Sequence, residues 1–85
     1  MSHPDTEELL AELRNMKVSD LLMQTCGVVA SLAHAKLHPD SQDLEQCRLG
    51  IEALKALQPL LPEDAAAHVR QLVSNLQLAY AEAAS

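Results

Sequence analysis

His34 and His38 stand four residues apart, and Asp40, Asp43 and Cys47 follow closely along the chain. Imidazole, carboxylate and thiolate are the usual zinc donors, and two histidines at this spacing share one face of a helix. His34, His38, Asp43 and Cys47 are therefore a candidate metal or small-ligand site. Pro39 works against it, because a residue that precedes proline is pushed out of the α region, so the helix is expected to break at His38. The glutamate of an H-E-x-x-H motif is also missing, since Ala35 and Lys36 follow His34. The plainer reading is a surface histidine pair at a helix C-terminus, where positive charge is favoured. That reading assigns no metal and no cofactor, and leaves the ligand-binding domain as the alternative.

Cys26 is the other chemical candidate, with His34 or His68 as its base. It lies mid-helix among apolar neighbours, where a thiol is harder to ionise, and it has no Cys-x-x-Cys partner. Cys47 falls in the apolar stripe of a later helix and reads as a small buried hydrophobe. Glu52 and Lys55, three apart, read as an exposed helix pair. The sequence holds no Gly-rich phosphate loop, Ser/His/Asp set or paired catalytic carboxylates, so no enzyme is expected.

The elements that must position these residues are bounded by simple arithmetic. The 85 residues carry 6 Lys+Arg against 12 Asp+Glu and a single aromatic, Tyr80. Such a surface repels a phosphate backbone and offers no stacking platform, so nucleic-acid binding is disfavoured. The opening MSHPDTEELL is not a secretory signal. The longest uncharged stretch, Leu21 to Ala35, is 15 residues, short of the roughly 20 that span a bilayer. The expectation is a soluble cytoplasmic protein with two reduced cysteines. In a hairpin turning at Pro39 and Asp40, Cys26 and Cys47 would be offset by about 9 Å, too far for a disulfide.

Ala and Leu favour helix almost throughout. A short first helix is expected from Asp5 or Thr6, capped by Asp5 and striped with Leu9, Leu10 and Leu13. A second should open at Ser19 as cap and run to about Leu37. Pro39-Asp40-Ser41 is then the turn, with Asp40 or Ser41 capping a third helix whose stripe is Leu44, Cys47, Ile51, Leu54 and Leu57. Pro59 ends it, and Pro62 suits the first turn of a fourth. That last helix carries the stripe Val69, Leu72, Val73, Leu76 and Tyr80, while Leu49, Leu60 and Leu78 fall off the main stripes. Nine of the twelve acids lie at or beside these helix starts, where the helix dipole accounts for them.

The fold class is therefore all-α: a small helical bundle built on an antiparallel helical hairpin, three main helices plus a short N-terminal one. Residues 1–17 form the N-terminal segment and residues 18–85 the core domain. The second helix is apolar nearly all round, and such a helix must be surrounded. A chain this short buries only about 60–65% of its unfolded surface, so self-association as a dimer, or docking to another protein, relieves a marginal core. Leu21, Leu22, Val29 and Leu32 are the expected hydrophobic contact. Gly27 and Ser31, in a row with Ala35, allow close approach of another helix.

Leu21-Leu22-Met23, the small apolar helix after it, the Pro39-Asp40 turn and the run Asp43 to Leu54 together resemble domain of unknown function family 1844. Pro62-Glu63-Asp64 and the closing Asn75-Leu76-Gln77-Leu78-Ala79-Tyr80 extend the resemblance over roughly residues 18 to 80. The connections at Pro39 and at Gln58 to Pro62 look shorter than the family pattern. The resemblance implies a small, soluble, bacterial helical protein and brings no activity, cofactor or catalytic residue.

Overall fold

The computed structural model describes residues 4–85, and every regular element among them is helical. Four α-helices follow in order: α1 (Pro4–Asn15), α2 (Val18–Ala35), α3 (Leu44–Leu57) and α4 (Glu63–Ala84), with 3-10 turns at Pro39–Ser41 and Gln58–Leu60. None of the described helices is long and apolar enough to cross a membrane.

The helix boundaries differ from expectation in instructive ways. The Asp5 side chain, the expected cap of α1, lies outside the described residues. Ser19 does not cap α2. The carbonyl of Lys17 already accepts from the N–H groups of Asp20 (3.1 Å) and Leu21 (3.2 Å), so the helix is under way before Ser19. Helix α2 ends at Ala35, short of Leu37, and His38 is extended before Pro39. The hydroxyl of Ser41 donates to the Ala35 carbonyl (2.8 Å), and the Asp43 N–H donates to the Lys36 carbonyl (2.8 Å), which satisfies orphaned acceptors at the helix end. Neither Asp40 nor Ser41 caps α3. Asp43 does, its carboxylate accepting from the Gln46 N–H at 3.2 Å.

The core is drawn from three helices and one loop. Cys26, Ala30 and Ala33 come from α2, Cys47, Ile51 and Leu54 from α3, and Val69, Val73 and Leu76 from α4, with Leu61 closing one end. The stripes of α3 and α4 therefore face inward as their spacing requires, with Leu72 and Tyr80 half-buried at the margin. Helices α2 and α3 are drawn together where a side chain is missing. A Cβ on Gly50 would sit 2.8 Å from the Ala33 Cβ, so only glycine permits that approach.

No described side chain of α1 belongs to this core. Leu9 is 56% and Leu13 54% exposed. The apolar circumference of α2 is not enclosed either, for Leu21, Met23, Val28 and Leu32 are all exposed. The consequence is an elongated chain with a radius of gyration of 16.2 Å, against about 12 Å for a compact chain of this length.

Candidate functional site

The four residues of the candidate metal site are held apart by their own local roles. His34 is exposed on the last turn of α2. The His38 Nδ1 accepts a hydrogen bond from the Asp40 N–H at 3.2 Å. Asp43 is engaged as the cap of α3, and Cys47 is wholly buried in the core. Among the described residues no three His, Cys, Asp or Glu side chains are grouped to hold a metal ion.

Both cysteines are free and buried. Burial pushes both thiols above their ordinary pKa, because an apolar surrounding penalises the thiolate. No described cationic group lowers either one, so neither carries the electropositive surroundings of a reactive cysteine. Glu52 and Lys55 form an exposed ion pair at 3.6 Å, worth a few tenths of a kcal/mol at about one helical turn's spacing.

The six residues expected to form an interface fall on different faces of α2. Leu22 and Val29 are half-buried against the core of their own chain. Leu21, Gly27, Ser31 and Leu32 are exposed. A Cβ on Gly27 would meet nothing within 4 Å, so this glycine faces open space while Gly50 mediates the intrachain approach.

The space beside Gly27 is a groove between α2 and α4. Its first hollow, about 340 Å³, is walled by Met23, Cys26 and Gly27 on one side and by Ala65, His68 and Val69 on the other. A second hollow of about 420 Å³ continues it past Ala30, Ser31 and His34, facing Asn75 and Leu76. Leu72 borders both, so the two form one trough. Its walls are mainly apolar, with Asp64, the two histidines, Ser31 and Asn75 as polar rim. The trough spans Met23 to His34 on α2, about 16 Å at the helical rise.

A further apolar crook lies at the junction of α1 and α2, lined by Leu13, Met16, Val18 and Leu21 together with Lys17. Sequence reasoning located the leucines of α1 and the small residues of α2 but not the trough itself. The available signal was the run of small residues on both walls, Gly27, Ala30 and Ser31 opposite Ala65. Small side chains leave room only once the two helices have been set beside each other. No family model, curated protein or solved structure matches the chain.

Proposed function

We propose that this protein is a non-enzymatic interaction module that docks other protein through apolar helix surface. The observation that carries the reading is α1. Its stripe of Leu9, Leu10 and Leu13 packs on no core of its own chain and runs on into exposed Met16, Val18 and Leu21. A helix of 12 residues is marginal in water without a face to bury. Apolar surface of this continuity is the usual mark of a docking site.

Helices α2 and α3 are read as an antiparallel hairpin, supported by the short return from Lys36 to Asp43 and by Gly50 meeting Ala33. The resemblance to domain of unknown function family 1844 adds a bacterial, helical setting and no activity. The metal or small-ligand alternative, through His34, His38, Asp43 and Cys47, has no converging geometry in its favour.

The test is crosslinking in the cells that make the protein. The chain is expected in a larger protein complex that disappears in the Leu9→Asp/Leu13→Asp double variant. A chain that stays at monomer mass, or a complex indifferent to that variant, overturns the reading.

A further inference from the structure

We infer that the occupant of the α2/α4 trough is α1 of a second copy of the same chain, the two copies exchanging their first helices about a two-fold axis. This rests on the docking reading of α1 and names its partner. Four observations carry it. The first is fit. Helix α1 has 12 residues and so is about 18 Å long, close to the length of the trough, and Leu9, Leu13 and Met16 at spacings of four and three form a ridge for it.

The second is the connection. Helical hydrogen bonding of α1 persists to the Met16 N–H, which donates to Glu12, and α2 begins on the carbonyl of Lys17. Met16 and Lys17 are the whole linker between the two helices, and Lys17 is extended, with φ −86° and ψ 142°. An antiparallel helical hairpin needs a loop of about 2–5 residues. The linker stands at the lower limit of that range and α1 does not line its own trough, so a second copy is the easier source of a helix to fill it. Short hinges of this kind are the setting for exchange of elements between identical chains.

The third is area. The chain exposes 6354 Å², about 1,400 Å² more than the roughly 4,900 Å² expected of a compact monomer of 9.2 kDa. A stable interface takes about 800 Å² from each partner. The excess is sufficient for one such interface. The fourth is the crook at the hinge. Exposed Met16, Val18 and Leu21 lie where the two chains would cross, so exchange covers them as well.

The test measures the mass of the purified full chain by sedimentation over a concentration series, alongside three variants. The wild type is expected at twice 9.2 kDa. Gly27→Leu fills the trough, and Leu9→Asp/Leu13→Asp removes the ridge. Each is expected to weaken the dimer at least about a hundredfold, the scale of two unburied leucines, with the helical content of the core retained. The decisive variant inserts four glycines between Met16 and Lys17. A longer hinge lets α1 reach its own trough, so this variant is expected as a monomer whose α1 amides stay as protected from hydrogen exchange as in the wild-type dimer. A wild type that is monomeric throughout overturns the exchange, as does a dimer that survives Gly27→Leu or remains a dimer after the insertion. A monomeric purified chain alongside a crosslinked complex in cells overturns this inference alone and leaves the docking module with a different protein as partner.

Discussion

At the scale of residues, the two glycines are opposite cases that the sequence does not distinguish. Gly50 has an Ala33 Cβ waiting 2.8 Å from where its own would be, and Gly27 has open space. Gly50→Ala must push α2 and α3 apart, and overpacking outweighs the helix propensity gained. It is expected to destabilise by about 1–2 kcal/mol in urea unfolding. Gly27→Ala meets no obstacle within its own chain and is expected to stabilise the core of the separated chain by about 0.5–1 kcal/mol in the same measurement, made at low protein concentration. The cysteines were legible from their apolar neighbours, and burial raises both thiols above the ordinary value of 9.0. On raising the pH, the unfolded thiols lose their protons first. Their contribution is thus fully present below pH 9 and is lost as pH rises through the folded pKa values. Thermal melts should show a fall in stability on that alkaline side that is smaller in a Cys26→Ala/Cys47→Ala double variant.

At the scale of elements, the inward stripes of α3 and α4 were readable because their apolar residues recur at helical spacing, and Cys47, Ile51, Leu54, Val69, Val73 and Leu76 are all buried. The ends were less readable. Asp40, Ser41 and Asp43 are all competent caps, and local sequence does not choose among them. The choice is made by the 3-10 turn that Pro39 starts and by the bond from Asp43 N–H to Lys36, which together delay α3 to Leu44. Asp43→Ala leaves the Gln46 N–H without its partner and is expected to cost about 1 kcal/mol by denaturant unfolding. Asp40→Ala removes no cap of α3 and should leave the midpoint nearly unchanged.

At the scale of the whole molecule, the marginal size of the chain has its consequence in shape. Three helices share one small core while α1 stands clear of it. Two expectations follow for unfolding. Leu54, wholly buried, is expected to cost about 2–5 kcal/mol when replaced by alanine, a large share of what so small a domain possesses. If the copies exchange α1, the thermal midpoint must rise with protein concentration, since association stabilises the folded state by mass action. A midpoint independent of concentration argues that the core stands alone.

The sequence by itself determined the helical class, the inward stripes of α3 and α4, the apolar surroundings of the cysteines and the apolar excess of α2. Each of these depends on neighbours within a few residues along one helix, where spacing alone dictates which side chains share a face. Only the tertiary structure decided that His34, His38, Asp43 and Cys47 do not converge, that within the chain Gly50 and not Gly27 brings two helices together, and that a trough opens beside α2. Those outcomes depend on how far apart separate helices lie and how they are rotated. That geometry is set by packing between residues distant in sequence, on which local spacing carries no information.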